Sequence, residues 1–326
     1  MIRSRIAKLA LVGGAGLALW VNTTSAFAAF TNGSPPLINH GGRTQSPSTT
    51  YAIYWGEQWN VGWPDVDTST CAGAYQGTCI IGNVPATYTN AAQTVMTYLN
   101  TFLSSAVPGS AWIGSQSQYG ASASWGGSWV DSSSVPPATP GLVTDSCLEV
   151  CLVDQPPSSI AYTPETTINE LGSEALHAEA HFGYSANADY MIFLPKGTYP
   201  GGFGAYCAYH NEIYDSAGRR ISYSVMPYIP DANQFCGENY LNATADSFGN
   251  GFLDGYSIVG GHELAETATD ALPATNPAWR DSSGAETGDI CAWGNTSNGV
   301  PMYNISGGGH VFAVQSLWSN SANTCV

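Results

Sequence analysis

Residues 255–270 read GYSIVGGHELAETATD, and this segment carries the most informative pattern in the sequence. We predict one helix from Gly255 to Asp270. His262 and Glu266 stand four residues apart, and helical geometry places positions i and i+4 one turn apart on the same face. An imidazole and a carboxylate can therefore converge on one ion.

Glu263 follows the histidine directly, where His-Glu-x-x-His zinc peptidases carry the carboxylate that takes a proton from the attacking water. The pattern here is His-Glu-x-x-Glu. Zinc accepts carboxylate oxygen as well as imidazole nitrogen. The stretch therefore predicts a zincin-like active-site helix, with His262 and Glu266 as zinc ligands and Glu263 as general base. Calcium, which takes oxygen ligands, is an alternative or additional ion.

A further ligand has to come from elsewhere in the chain. Glu286 stands 20 residues after Glu266, a separation that gluzincin-type sites also use, in a Gly-flanked segment that reads as a loop. Asp289 in the same acidic segment is its close rival. His210 is the remote candidate, because it follows a buried strand and lies near Cys207, which we expect in a disulfide. The choice among the three stays open.

The same residues have a plainer interpretation. A His-Glu pair near a helix end can simply hydrogen-bond in the core, without any metal. His177 and His181 also stand four apart on a predicted helix, but no glutamate follows His177 directly. We interpret these two histidines as part of an exposed helix face and leave them out of the site. No Gly-x-Ser-x-Gly elbow supports a serine hydrolase.

Strands and helices alternate loosely along the chain, which favours a single mixed-sheet domain of the α/β or α+β class over a β sandwich. Runs of β-branched and aromatic residues predict strands, and apolar residues at helical spacing predict helices. Residues 114–140, rich in Gly, Ser, Trp and Pro, are expected to be a flexible surface loop or a soft domain boundary. The predicted strands are 51–55, 190–194, 221–228 and 311–318, and the predicted helices are 89–106, 164–181 and 255–270.

The first 28 residues read as a secretory signal peptide. A basic patch over residues 1–8 precedes an apolar run over 9–21, and small residues end in an Ala-x-Ala cleavage site at Ala28. The apolar run is shorter than the about 20 residues that a membrane span needs. We therefore expect a secreted, extracellular protein with one globular domain over residues 29–326.

The charge of the mature chain argues against several kinds of partner. Three of the eight basic residues lie in the leader, which leaves five against 24 acidic residues and a formal charge of −19. A surface this acidic repels phosphate backbones and anionic lipid, so we expect no nucleic-acid and no membrane partner. We expect a monomer that acts on a protein or peptide substrate, in solution or at a cell wall.

All eight cysteines follow the leader, and an even number in an exported chain predicts disulfides. Eight cysteines allow other pairings, so we pair each cysteine with its neighbour in the sequence. The chain contains no Cys-x-x-Cys pair, which argues against a cysteine zinc site. The predicted bridges are Cys71–Cys79, Cys147–Cys151, Cys207–Cys236 and Cys291–Cys325.

Five segments occur in an order that is typical of a known family. They are IYWG at 53–56, residues 203–210, HELAE at 262–266, the acidic segment 286–291 and FAVQSLW at 312–318. Together they resemble the EXORDIUM or phosphate-induced protein 1 family and its bacterial relatives. The resemblance implies secretion and a zincin-like helix, and in plants an association with growth responses rather than an assigned reaction.

The resemblance also implies which positions matter. His177 and His181 do not match any of the family motifs. The long Gly-, Ser- and Trp-rich region and the additional cysteines depart from the plant pattern, so a plant growth role does not transfer directly. The positions that match its motifs are His210, His262, Glu263, Glu266, Glu286 and Asp289.

The hypothesis from the sequence is a secreted zinc-dependent hydrolase, most simply a metalloendopeptidase. Glu263 would remove a proton from water that attacks a peptide carbonyl. Peptides are favoured because helices of this kind mostly serve peptidases. The alternative is a non-catalytic extracellular or cell-wall-associated binding protein, in which the same cluster is a structural metal site.

Overall fold

Among the described residues, the fold is built around one mixed β-sheet, with helices on both faces and four small strand pairs. The structure is a computed structural model that describes residues 36–63, 91–132, 141–143, 170–200, 203, 206–242, 251–294 and 302–326. The strands are β1 (Ile38–Asn39), β2 (Ser48–Trp55), β3 (Ala123–Asp131), β4 (Gly141–Val143), β5 (Ala188–Phe193), β6 (Thr198–Pro200), β7 (Tyr209–Tyr214), β8 (Arg220–Met226), β9 (Trp279–Arg280), β10 (Met302–Gly307), β11 (His310–Gln315), β12 (Trp318–Ser319) and β13 (Thr324–Cys325).

Two long helices matter most for the site, and we call them the cover helix (Glu170–Phe182) and the central helix (Asp254–Thr269). In the described part of the chain, the other α-helices are Gln58–Val61, Ala91–Thr101 and Ala111–Gly114. Ala91–Thr101 continues directly into a π-helical turn, Phe102–Ala106. The 3₁₀ segments are Ser115–Tyr119, Ile229–Cys236 and Asp289–Gly294.

The central sheet has the strand order β3-β2-β5-β8-β7. The first four strands run parallel, and β7 pairs antiparallel with β8 at the edge. All six residues of β5 are buried, as expected for a parallel strand with both faces covered. The mixed sheet with helices confirms the predicted mixed-sheet fold and, of the two classes predicted, it is of the α/β type. The strands predicted at 51–55, 190–194 and 221–228 match β2, β5 and β8 to within three residues at each end.

Side-chain alternation divides the core between the two faces of the sheet. One face packs Ile53, Ile192 and Val225 against the cover helix, which contributes Leu171 and Ala175. The opposite face packs against the central helix and the helix that begins at Ala91. Its buried sheet residues are Ala52, Tyr54, Met191, Phe193 and Met226.

The central helix is buried over its whole length, from Asp254 to Thr269. It lies between the sheet and the hairpin formed by β10 and β11. Its polar residues therefore need partners inside the protein: Ser257 bonds with the Tyr98 hydroxyl at 2.6 Å, and Thr267 with Ser224 at 3.3 Å. The predicted helix from Gly255 to Asp270 is thus confirmed within one residue at each end.

Two sequence predictions about local structure are wrong. Residues 123–131, expected to be loop, form edge strand β3 of the central sheet. Gly126 allows this because a Cβ there would lie 2.3 Å from the Tyr51 ring, so the absent side chain makes room for a large one on β2. The single strand predicted at 311–318 is two strands, β11 and β12, which pair with different partners.

Two of the predicted disulfides are present, Cys207–Cys236 and Cys291–Cys325. The first joins the approach to β7 with the 3₁₀ segment that packs on the central helix. The other four cysteines, at 71, 79, 147 and 151, lie outside the described residues, as do residues 164–169 of the second predicted helix. Within the described part of the chain, no helix is both long and apolar enough to cross a membrane.

Two glycines of the central helix provide a matched test of this packing. A Cβ at Gly255 would lie 2.2 Å from the carbonyl oxygen of Cys236, whereas a Cβ at Gly260 would meet only the Met226 side chain at 3.4 Å. We expect Gly255→Ala to lower the free energy of unfolding by roughly 1–3 kcal/mol, because backbone has to move. Gly260→Ala should be neutral or stabilising by up to about 1 kcal/mol, because alanine favours helix.

Urea denaturation of the two variants beside the unchanged protein measures the difference. Equal midpoints for Gly255→Ala and the unchanged protein would contradict the close approach of the central helix to the 3₁₀ segment.

Candidate metal centre

The central helix presents its two predicted ligands on one face. His262 Nε2 lies 3.1 Å from Glu266 Oε2, the neighbouring position one turn later. Both side chains are about 2% exposed. The i, i+4 spacing therefore produces the predicted convergence of an imidazole nitrogen and a carboxylate oxygen.

His210 reaches the same place from β7, the antiparallel edge strand. Its neighbours Tyr209 and Ile213 pack on the opposite face of the sheet, so His210 points toward the central helix. His210 Nδ1 lies 3.3 Å from Glu263 Oε2 and 3.7 Å from Glu266 Oε2. The edge strand thus brings the remote candidate into contact with the helix motif.

The acidic segment after β9 closes the third side of the centre. Its backbone N–H groups at Gly288 and Asp289 donate to Glu266 Oε1 at 3.1 and 3.0 Å. In turn, Asp289 Oδ2 accepts from the Glu286 N–H at 3.1 Å. Asp289 Oδ1 lies 3.7 Å from His262 Nε2. Each of the two carboxylates therefore has one oxygen held by backbone and the other turned toward His262.

Gln315, the last residue of β11, orients the imidazole. Its Oε1 lies 3.4 Å from His262 Nδ1, and its Nε2 donates to the Gly288 carbonyl at 2.6 Å. A protonated Nδ1 that donates to Gln315 leaves the Nε2 lone pair for a cation. Metal-binding histidines are commonly oriented in this way by a partner on the second ring nitrogen.

The separations of these donor atoms fit a metal ion. Ligand atoms about 2.0–2.1 Å from a tetrahedral zinc lie about 3.3 Å from one another. The separations at His262 Nε2 are 3.1 Å to Glu266 and 3.7 Å to Asp289. Several buried atoms here have no well-aligned hydrogen-bond partner among the described residues: His210 Nε2, His262 Nε2, Glu263 Oε1, Glu286 Oε1 and Asp289 Oδ1.

The centre also carries an excess of buried negative charge. Arg280 bonds with Asp270 at 2.6 Å and lies 3.6 Å from Glu286. The negative end of the central helix dipole adds to the imbalance, since the last turn contains no basic residue. The carboxylates that meet at this point, each at most 2% exposed, are Glu263, Glu266, Asp270, Glu286 and Asp289.

The pKa values show how the side chains respond to this crowding. Burial acts to lower the pKa of His262, but the Glu266 carboxylate and its neighbours outweigh it and raise the pKa to about 10. Burial and repulsion from Glu266 raise the pKa of Asp289 to about 8. Burial also raises the pKa of Glu286 well above its usual range, although Arg280 opposes it. Protons bound to these side chains therefore reduce the repulsion between the buried carboxylates, as a bound cation would.

All the residues that the sequence singled out meet in this centre, whichever of them bind metal. Glu286 lies 3.6 Å from His210 Nε2 and faces Arg280, while Asp289 faces His262. The loop character expected for the Glu286 segment is correct. Asp289 begins a short 3₁₀ segment.

The sequence interpretation missed several supporting residues. Asp270 continues the i, i+4 series that begins at His262, so its spacing was a usable signal. Arg280 is one of few basic residues in the chain, and it stands beside the acidic segment. Gln315 and Gly288 gave no signal, because their roles depend on contacts across the fold.

Comparison with known proteins does not assign this chain: no family model matches it, and neither a curated protein nor a solved structure does. The resemblance to the EXORDIUM family therefore remains a prediction from the sequence.

Gly288 sits so close to His262 that an added methyl group should disturb the centre. A Cβ at Gly288 would lie 2.6 Å from His262 Nδ1, which forces the ring or the loop to move. We expect Gly288→Ala to weaken zinc affinity roughly 10–100-fold, because the imidazole loses its orientation. Competition with a chromogenic chelator measures the affinity. Gly114→Ala, where a Cβ meets open space, is the control; equal affinities in both variants would contradict the geometry.

Zinc binding should release protons. With pKa values of about 10 and about 8, His262 and Asp289 hold protons at neutral pH. His262 must lose its proton to bind metal, and Asp289 must do so as well if it is the further ligand. We expect zinc to acidify a weakly buffered solution of the protein, and affinity to rise with pH by roughly tenfold per unit for each proton displaced. Calorimetry in buffers of different ionisation enthalpy counts the protons. An affinity that does not change between pH 6 and 8 would contradict this protonation.

Proposed function

We propose that this protein is a secreted zinc-dependent hydrolase, and specifically a metalloendopeptidase. The observation that carries the proposal is that one donor atom each from His262, Glu263 and Glu266 lies within 4.8 Å of the others. Around His262 Nε2, Glu266 Oε2 lies at 3.1 Å and Asp289 Oδ1 at 3.7 Å. Export is supported by the leader-like residues 1–28, and it is compatible with the two disulfides.

The residues fit zinc through His262 and Glu266, with Asp289, Glu286 or His210 completing the set. When bound, zinc supplies Lewis-acid chemistry that activates water and polarises a carbonyl. Two oxygens of the set are already held by backbone N–H groups, so the ligands are oriented before any ion arrives.

In this proposal Glu263 acts as general base. Its Oε2 lies 3.3 Å from His210 Nδ1, and its buried Oε1 has no aligned partner among the described residues. His210 therefore orients the carboxylate, and Oε1 is the atom that accepts the proton of the attacking water. Return of that proton to the leaving amine completes peptide hydrolysis.

The acidic character of the chain favours a neutral or basic peptide segment as substrate. A formal charge of −19 without the leader repels acidic chains and attracts basic ones. Peptides are proposed over other amides and esters because His-Glu helices of this type mostly belong to peptidases.

One observation favours a second candidate, a non-catalytic extracellular protein with a structural metal. The centre is deeply buried. The His210 side chain is 5% exposed, and the other side chains of the centre are at most 2% exposed, namely His262, Glu263, Glu266, Glu286 and Asp289. More than three donors surround the same point. A closed four-ligand shell is typical of structural zinc, whereas catalytic zinc keeps one position open.

Zinc content and peptide cleavage measured on the same samples separate the two functions. The purified mature protein is compared with His262→Ala and Glu263→Gln, using elemental analysis and casein hydrolysis. We expect His262→Ala to bind one zinc fewer per chain than the unchanged protein and Glu263→Gln to bind the same amount. Cleavage should fall at least about 100-fold in both, since general-base catalysis contributes about that much or more. His40→Ala, at an exposed histidine outside the centre, should leave both unchanged.

If His262→Ala binds one zinc fewer but the unchanged protein does not cleave casein, the assignment moves to the structural candidate. Neither zinc nor cleavage would leave the cluster as a hydrogen-bonded packing feature, and the hydrolase proposal would be wrong.

A further inference from the structure

A second cluster of metal-binding side chains lies where β3 ends against the cover helix. His177 Nδ1 lies 3.5 Å from Glu174 Oε2 and 3.8 Å from Asp131 Oδ2. One donor atom from each of the three residues lies within 4.8 Å of the others. Glu174 and His177 are three residues apart on the helix, so they share a face, and Asp131 meets them as the last residue of its strand.

The two carboxylates are buried side by side. Asp131 and Glu174 are each 1% exposed. Both oxygens of Glu174 are buried and receive no hydrogen bond from the residues that the structure describes. An ionised carboxylate in this position is costly unless a positive charge compensates it. Burial and then the neighbouring Asp131 raise the pKa of Glu174 to about 9, which reports the same unfavourable pairing.

His177 gives the cluster an open side. Its side chain is 49% exposed, whereas both carboxylates lie beneath it. An ion can therefore enter from solvent and bind two carboxylate oxygens below and one imidazole nitrogen above. His181, one turn later, does not join the cluster: its ring stacks on Trp129 with centroids 4.1 Å apart.

This cluster is separate from the candidate metal centre. The cover helix packs on the face of the sheet that bears Ile53 and Val225, and the central helix packs on the opposite face. The two sets share no residue. Nothing in the proposed hydrolase chemistry requires the second set.

We propose that Asp131, Glu174 and His177 form a second cation site, which binds a divalent ion of the zinc type and ties β3 to the cover helix. The imidazole ligand favours zinc or a similar transition ion over calcium and magnesium, which prefer oxygen-only sets. The separations of 3.5 and 3.8 Å are slightly longer than the about 3.3 Å of a tetrahedral zinc shell, so the side chains close by a few tenths of an ångström on binding.

The test is zinc stoichiometry in the full mature chain. The protein is dialysed to equilibrium against zinc chloride, and bound zinc is counted by elemental analysis for the unchanged protein, His177→Ala and Glu174→Gln. We expect each variant to bind one zinc fewer per chain than the unchanged protein. His177 is half exposed, so its replacement leaves the fold intact even if Glu174→Gln is less stable.

The matched control is His181→Ala, on the same helix and outside the set, which should bind as much zinc as the unchanged protein. Excess calcium should not displace the second ion. Full zinc occupancy in both His177→Ala and Glu174→Gln would overturn the proposal, and so would an unchanged protein that binds no zinc.

His262→Ala separates this site from the candidate metal centre. If the second site exists, His177→Ala removes one zinc even in the His262→Ala background. That loss is expected whether or not the protein cleaves casein, so failure of the hydrolase proposal and failure of this proposal give different results.

Discussion

The accumulation of buried negative charge at the end of the central helix is the constraint on which the rest of the structure depends. Five carboxylates meet where water is excluded, beside the negative end of a helix dipole and with Arg280 as their arginine partner. Such an arrangement is expensive unless cations or protons compensate it. The proposed metal ion would supply this compensation, and it would also explain the orientation of the individual oxygens.

The fold supplies the centre from four directions. The central helix gives His262, Glu263 and Glu266, the edge strand β7 gives His210, and the segment after β9 gives Glu286 and Asp289. The end of β11 gives Gln315, which holds both the imidazole and the loop. Because each element is anchored in the core or by a disulfide, the ligands are arranged by the packing of the whole domain.

The sequence predicts only part of this arrangement, because some of its contacts join elements that are distant in the chain. The helix spacing alone places His262 beside Glu266, and the buried runs alone predict β2, β5 and β8. Periodicity could not show that 123–131 joins the sheet, since its glycines and serines resemble loop and Gly126 is explained only by the Tyr51 ring above it. Nor could it find Gln315 or the Asp131–Glu174 pair, whose partners are distant in sequence.

The histidine pair on the cover helix shows the same limit. The i, i+4 spacing of His177 and His181 suggested a ligand pair, and setting it aside was reasonable for that pair, since His181 stacks on Trp129. The partners of His177 are instead Glu174 on its own helix and Asp131 on a strand that the sequence did not reveal. Helical spacing identifies a face of the helix, but the opposing element decides its chemistry.

We propose that an ion binds between the central helix and the acidic segment that follows β9. Anomalous diffraction at the zinc absorption edge, from crystals of the mature protein grown with zinc, tests it most directly. We expect a strong peak about 2.0–2.2 Å from both His262 Nε2 and Glu266 Oε2, with oxygen or nitrogen ligands only. A map without a peak there, in crystals that bind zinc elsewhere, would contradict it.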